Sequence, residues 1–304
     1  MAQIGFSFVN PAPQIEPGHV AGFARKCEEI GAHSCWVLDR IAYDNLEPLI
    51  VLATVAAVTR KIRVGTSVLL AATRQPAILA KAAATLDFLS AGRLILGLGV
   101  GSRESDFRAT GIPYEHRGSR VEEAISLMKT LWQGTPTTHH GHFYQVEELA
   151  LGPKPIQFPN PPIWMGGGGV DSALKRIARV ADGYICGSSA VSNFRVLWSK
   201  IEAFARQQGR NPAAIERAGL TFMALDEDEA RAVAAAEAYL QRYYGAVRMD
   251  VKQTLLVGAP GACAEKINRA FDNGLNTLII GPVLPDLKQL DLFARQVMPQ
   301  LKLG

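Results

Sequence analysis

Short apolar segments rich in β-branched residues alternate with amphipathic stretches of helical length along the whole chain. Such alternation is typical of strand–helix–strand units, in which successive strands pair in parallel. The predicted strands are Gln3 to Val9, Ser34 to Asp39, Ile62 to Leu69, Arg93 to Leu98, Pro162 to Met165, Ala181 to Cys186, Gly219 to Leu225 and Asn276 to Ile280. Eight parallel strands with helices between them match a closed barrel. The sequence therefore predicts the α/β class and a (β/α)8 TIM barrel with insertion loops.

The segments between these strands carry helix signals. Pro76 stands where a first-turn proline fits, and Asp171 and Asp226 are expected to cap the helices that follow them. The predicted helices are His19 to Ile30, Asn45 to Val58, Pro76 to Leu89, Val121 to Trp132, Asp171 to Ala181, Asp228 to Tyr244 and Ala262 to Asn273. An open, doubly wound sheet is not favoured, because it usually has fewer strands and a glycine-rich turn after the first strand.

Two segments exceed the normal length of a loop, Gly101 to Ser119 and Gly134 to Pro161. In the second of them, His142 to Val146 is predicted to form one arm of a hairpin. Long loops in compact domains tend to be lids or binding loops. Because no repeat or linker is visible and a barrel fills roughly 250 residues or more, we predict one domain over residues 1–304.

The composition excludes several classes of protein. The longest apolar stretches, such as Leu49 to Val58, fall well short of the roughly 20 residues that a membrane span needs, and no export signal is recognised. The four cysteines are scattered without a Cys-x-x-Cys pair, which favours reduced thiols in the cytoplasm over a disulfide framework or zinc site. A net charge of +4 is spread along the chain, so nucleic acid is not indicated, although an anionic cofactor is favoured.

The active site of such a barrel lies at the carboxyl ends of its strands. Asp39 and Arg40 end the second predicted strand and would place a carboxylate beside a permanent cation at this position. We interpret the two residues as functional; the alternative is a structural ion pair that closes the end of the barrel.

Glycine-rich turns follow two neighbouring strands, at Gly166-Gly167-Gly168-Gly169 and at Gly187-Ser188-Ser189. Their backbone amides are candidates for binding a phosphate, although glycines also serve ordinary tight turns. The run Gly97-Leu98-Gly99-Val100-Gly101 resembles a dinucleotide-binding loop only superficially, because its glycines continue a strand. His139-His140-Gly141-His142 lacks acidic or cysteine partners at ligand spacing, so we predict a solvated loop there and no metal site.

Three motifs together resemble the luciferase-like family of flavin- and deazaflavin-dependent oxidoreductases. They are Ala91 to Gly101, then Gly152 to Gln157 with Pro161 to Gly167, then Ala181 to Tyr184. Each motif is moderately specific by itself, and their order and spacing carry the resemblance over nearly the whole chain.

The resemblance implies a position for the cofactor. It places a non-proline cis peptide at Ser67-Val68, behind a flavin-type ring that lies near Asp39. It also implies cofactor-binding roles for Gly166 and Gly167 and for Gly187, Ser188 and Ser189, which would meet the phosphate.

The sequence departs from the family pattern after the second strand, where many relatives have histidine and this chain has Arg40. Arginine stays protonated and cannot exchange protons as histidine does, so we predict that Arg40 acts as a charge partner. Proton transfer would then fall to Asp39, or to Glu104 or Asp106 after the fourth strand.

The leading hypothesis is an oxidoreductase that uses a reduced deazaflavin, coenzyme F420, to transfer hydride to or from a small organic substrate. The alternatives are a monooxygenase that uses reduced FMN, and a flavin-binding relative without catalytic activity. A hydrolase or aldolase is not favoured, since no lysine nucleophile or metal cluster stands at a strand end. The resemblance also implies a homodimer through the helices after the second and third strands, where Ala77, Ala80 and Ala84 would permit close approach or would pack on their own barrel.

Overall fold

The structure is a computed structural model that describes residues 2–303. The strands are β1 (Gln3–Phe8), β2 (Ser34–Val37), β3 (Arg63–Thr66), β4 (Leu69–Leu70), β5 (Leu94–Gly99), β6 (Thr137–His140), β7 (Gln145–Leu149), β8 (Ile163–Gly167), β9 (Gly183–Cys186), β10 (Glu216–Leu225), β11 (Leu256–Gly258) and β12 (Thr277–Pro282).

Eight of these strands pair in parallel and close into a barrel, in the order β1-β2-β3-β5-β8-β9-β10-β12 and back to β1. The predicted (β/α)8 barrel and all eight of its strands are therefore confirmed. Two short strands were not predicted: β4 pairs with β5, and β11 pairs with the last three residues of β10. Strands of two or three residues are too short to leave a hydrophobic period in the sequence.

The helices surround the barrel. They are α1 (His19–Glu29), α2 (Pro48–Val58), α3 (Pro76–Leu89), α4 (Glu104–Thr110), α5 (Arg117–Leu131), α6 (Asp171–Val180), α7 (Ser188–Val191), α8 (Phe194–Gln207), α9 (Glu229–Tyr244), α10 (Val251–Thr254), α11 (Pro260–Asp272) and α12 (Lys288–Leu292). Short 3-10 turns lie at Ala12–Gln14, Ala71–Thr73, Pro212–Ala214 and Met298–Gln300, and a π turn lies at Phe293–Val297.

The two predicted aspartate caps were wrong. Asp171 is the first residue of α6, and the cap position before it is Val170. Asp228 caps α9, because its carboxylate accepts the backbone N–H groups of Ala230 and Arg231. Asp226 lies two residues further out and binds the Arg231 guanidinium instead. An offset of one or two residues decides which side chain reaches the free amides of the first turn.

The two long segments are more ordered than the sequence indicated. The segment 101–119 contains α4, whose Phe107 is buried, and the start of α5. The segment 134–161 contains the predicted hairpin, but its arms are β6 and β7, and His142 lies in the turn between them. Two turns of helix in a polar stretch give too weak a period to be predicted.

Tryptophan rings fill the interior of the barrel. Trp36 and Trp164 lie 5.3 Å apart between ring centroids, and both are buried with Ile95 and Ile185. A Cβ at Gly65 would lie 2.5 Å from the Trp36 ring, so this strand position requires glycine. The packed interior leaves the carboxyl ends of the strands as the place for a ligand.

The motifs that carry the family resemblance are largely structural. The buried Asp87 carboxylate accepts the N–H groups of Ile156 and Gln157 and the side-chain amide of Gln157. Asp182 accepts the N–H of Ile163, which joins two neighbouring barrel strands at their starts. These hydrogen bonds fix the connection that leads from the hairpin into β8.

None of the helices found in residues 2–303 has both the length and the apolar composition needed to cross a lipid bilayer.

Candidate active site

A cleft of about 400 Å³ opens at the carboxyl ends of the barrel strands. The predicted site residues that line it are Asp39, Arg40, Ser67, Val68, Gly166, Gly167, Gly187 and Ser189. The structure therefore brings together side chains and glycines from four strand ends that are up to 150 residues apart in the chain.

The peptide bond between Ser67 and Val68 is cis, as the resemblance implied, and both residues line the cleft. The Val68 side chain lies between two neighbouring strands: a Cβ at Gly166 would be 2.9 Å from it, and a Cβ at Gly99 would overlap it. In the glycine run of β5, Gly99 thus makes room for Val68, while Gly97 lies against the Thr66 carbonyl oxygen and Gly101 against the Phe107 ring. Val68 forms an apolar floor on which a flat ring can rest.

The wall of the cleft on the β8 and β9 side is backbone. A Cβ placed on Gly168 or Gly187 would meet no protein atom within 4 Å, and both residues line the cleft. The space beside these glycines is therefore open to a ligand that approaches the main chain closely. This is the arrangement that the predicted cofactor-binding role requires.

Asp39 lies at the end of β2 and is 4% exposed. Its carboxylate accepts a bidentate pair from the Arg74 guanidinium, at 2.5 and 3.2 Å, and the N–H of Leu70 at 2.8 Å. Arg74 reaches on to Glu47, which caps α2. All of these partners donate hydrogen bonds to the Asp39 carboxylate. The carboxylate therefore joins the end of β2 to Leu70 and Arg74, and through Arg74 to the start of α2.

Arg40 does not pair with Asp39. Its Nε donates to Asp106 at 2.9 Å, and its Nη1 donates to the Tyr243 carbonyl oxygen at 3.2 Å. Asp106 also accepts the N–H groups of Ile41 and Ala42 at 3.0 and 2.8 Å. Arg40 and Asp106 therefore connect the loop after β2, helix α4 and the end of α9, and the charge of Arg40 is neutralised within the protein.

Two predicted site residues do not line the cleft. The Glu104 side chain is two-thirds exposed on α4 and pairs with Arg108. Ser188 is buried, and its hydroxyl donates to the Leu220 carbonyl oxygen at 3.1 Å, so only its neighbours Gly187 and Ser189 contact the cleft. Asp106 lines the cleft, but its oxygens bind Arg40 and the loop after β2.

Arg103, Tyr243 and Tyr244 are among the lining residues that sequence reasoning missed. The Arg103 guanidinium lies 5.2 Å from the Tyr243 ring centroid and 4.9 Å from that of Tyr244, within the range of cation–π attraction. Burial raises the pKa of the Tyr243 phenol, so this ring is neutral at physiological pH. The tyrosines end a predicted helix, and nothing in the sequence says that this end folds over the barrel.

The histidine-rich segment lies away from the cleft. His139 is in β6 and contacts the Glu123 carboxylate at 3.3 Å, while His142 packs against Phe143. Within residues 2–303, no group of three histidine, cysteine or carboxylate side chains is placed to hold a metal ion.

A closed parallel barrel with a glycine-walled cleft at its carboxyl end defines the class of (β/α)8-barrel enzymes. A family model described as luciferase-like monooxygenase matches residues 4–277. The chain therefore belongs to the luciferase-like monooxygenase family. The predicted family and the predicted oxidoreductase class are confirmed.

Two curated relatives and one solved structure show how far the similarity extends. A 5,10-methylenetetrahydromethanopterin reductase of Methanopyrus kandleri is 25% identical, over 99% of this chain and 100% of the relative. An F420-dependent glucose-6-phosphate dehydrogenase of Kineococcus radiotolerans is 34% identical, over 73% of this chain and 68% of the relative. The structure of an F420-dependent secondary alcohol dehydrogenase has the same fold, with a TM-score of 0.88, 23% identity and 99% of each chain covered.

Proposed function

We propose that this protein uses coenzyme F420 in a hydride transfer with a small organic substrate. The observation that carries the proposal is the cleft itself, with the apolar floor of Val68 and the open backbone wall of Gly168 and Gly187. The 34% identity to a relative whose name includes F420 dependence supports the choice of cofactor. When bound, the reduced deazaflavin supplies the hydride.

The residues of this chain have binding and positioning roles in the proposal. With the cofactor bound, Val68 would support its flat ring and keep water from that face, and the backbone at Gly166, Gly167, Gly187 and Ser189 would hold the phosphate. Asp39 and Arg40 hold the loops around the cleft in place through their ion pairs with Arg74 and Asp106.

The second candidate is a monooxygenase that uses reduced FMN. The description of the family model favours it, because it names luciferase-like monooxygenases. The same floor and glycine wall accept either ring system, so the two candidates differ in which cofactor binds and in whether oxygen is needed.

The test is a fluorescence titration of the purified protein with F420 and, separately, with FMN. We expect F420 to bind at least tenfold more tightly. In Gly187→Asp, which places a carboxylate in the cleft beside the phosphate position, F420 affinity should fall at least tenfold, or about 1.4 kcal/mol. The backbone of Gly187, with φ −79° and ψ 167°, accepts a side chain without strain.

Gly18→Asp is the matched control. Gly18 also precedes a helix, and a Cβ added there would also meet no atom within 4 Å, but it stands before α1, outside the cleft. The F420 affinity of this variant should equal that of the wild type. Tighter binding of FMN would favour the monooxygenase, and binding of neither cofactor would contradict the proposal.

We also propose a homodimer in the reducing environment of the cytoplasm. Large apolar side chains are exposed on α2 and α3, with Ile50 at 70%, Ile78 at 71% and Phe88 at 59%. Ala80 and Ala84 are fully buried, so the alanine face packs on its own barrel, and these larger side chains would form the contact instead. All four cysteines are free and buried, which supports a reducing compartment.

A further inference from the structure

A second cavity of about 460 Å³ adjoins the cleft on the side of α9. The two share Ser102, Arg103 and Tyr244, so they lie side by side. The second cavity continues along the chain after α9 to Arg248 and Met249. None of the glycines to which the proposed function assigns the phosphate lines the second cavity.

Two arginines line this cavity, Arg103 and Arg248. In the part of the chain that the structure describes, neither guanidinium forms an ion pair with a carboxylate. The nearby carboxylates have other partners, since Asp44 pairs with Arg242 and Asp250 accepts the N–H of Gln253. Among the described residues, the two guanidiniums that line the second cavity therefore have no carboxylate partner, unlike Arg40, which pairs with Asp106.

Aromatic and apolar side chains complete the walls. The Tyr244 ring is partly exposed and lies against the Arg103 guanidinium, and Leu240 and Met249 lie on the same wall. A partly apolar cavity with two guanidiniums that form no ion pair within residues 2–303 is suited to a small organic molecule with one anionic group, a phosphate or a carboxylate.

We propose that Arg103 and Arg248 bind the anionic group of the substrate, and that the substrate class is therefore small organic phosphates or carboxylates. This inference rests on the proposed function, since it requires the cofactor to occupy the glycine-walled part of the cleft. Arg248 lines only the second cavity, so its charge serves a molecule beyond the cofactor ring. Arg103 lines both parts and is placed to orient that molecule toward the ring.

The test uses phenyl phosphate and its neutral analogue phenol as probes, measured by calorimetry. We expect the wild-type protein to bind phenyl phosphate at least tenfold more tightly than phenol. Arg248→Gln and Arg103→Gln should each remove most of this preference. Arg25→Gln, at an exposed arginine on α1, is the matched control and should keep the preference unchanged.

A parallel F420 titration separates the possible sources of the anionic group. If Arg248→Gln weakens F420 binding tenfold and leaves phenyl phosphate binding intact, the group belongs to the cofactor and the inference is overturned. Equal binding of phenyl phosphate and phenol by the wild type also overturns it. Failure of the wild type to bind F420 would instead contradict the proposed function, while a phenyl phosphate preference lost in Arg248→Gln would still show the anion site.

Discussion

Two adjacent residues at the mouth of the barrel, Asp39 and Arg40, point to different partners. Asp39 takes a bidentate pair from Arg74, and Arg40 pairs with Asp106. Buried charges of this kind are tolerated because each is neutralised and hydrogen-bonded. Within residues 2–303, Arg103 rather than Arg40 is the cleft arginine without a carboxylate partner, and its guanidinium contacts aromatic rings and a carbonyl oxygen.

Buried thiols make the stability of the protein sensitive to alkaline pH. Burial raises the pKa of Cys186 to about 12 and that of Cys263 to about 11, above the usual value of 9.0. Because the folded-state pKa is the higher one, the stabilising contribution is complete below pH 9 and is lost as the pH rises toward the folded-state value. Each such thiol should remove about 1.4 kcal/mol of unfolding free energy per pH unit above 9.

Urea denaturation at pH 8, 9.5 and 10.5 measures this slope. Cys186→Ala should show a slope smaller by about one proton between pH 9.5 and 10.5, whatever its stability at pH 8. An unchanged slope would mean that the Cys186 thiol ionises as readily in the folded protein as in the unfolded chain.

At the scale of elements, the position of the last turn of α9 beside the cleft depends on the ion pair between Arg40 and Asp106. The Arg40 and Asp106 side chains are 7% and 2% exposed, and they connect α4 and the loop after β2 to the last turn of α9. The same turn carries Tyr243 and Tyr244, which line the cleft. The position of these rings therefore depends on a contact made far away in the sequence.

Asp106→Asn should destabilise the protein by about 3 kcal/mol, because it leaves the buried Arg40 guanidinium without its countercharge. Amide hydrogen exchange should also become faster in the last turn of α9 and in the loop after β2. Glu104→Gln is the control on the same helix, and loss of its exposed pair with Arg108 should cost less than about 0.5 kcal/mol. Equal effects of the two substitutions would contradict the structural role of Asp106.

At the scale of the whole molecule, the barrel interior and the outer surface have different roles. The interior is filled by Trp36 and Trp164, so it stabilises the barrel and leaves ligand binding to the strand ends. The outer surface exposes a concentration of large apolar side chains on α2 and α3, which a monomer would leave in water.

Ile78→Lys combined with Phe88→Lys should convert the proposed dimer to a monomer of intact fold. Light scattering during size-exclusion chromatography would show the wild type at twice the mass of the chain and the variant at half that value. Val196→Lys, at an apolar residue 55% exposed on α8, should leave the mass unchanged. A monomeric wild type would contradict the dimer.

The sequence by itself determined the barrel, because hydrophobic period and turn residues are local properties that repeat eight times along this chain. It also determined which strand ends carry polar residues and glycines, and hence where the cleft lies. The short helix α4 and strand β11 escaped prediction because so few residues leave no measurable period. The one-domain boundary stays a prediction.

Only the tertiary structure decided the partners of the charged groups. Arg74 reaches Asp39, and Asp106 reaches Arg40, across 35 and 66 residues of chain. Arg103 meets the tyrosines of α9 across 140 residues. Ion pairing depends on distances of a few ångströms between side chains, and those distances are fixed only when the elements pack around the closed barrel.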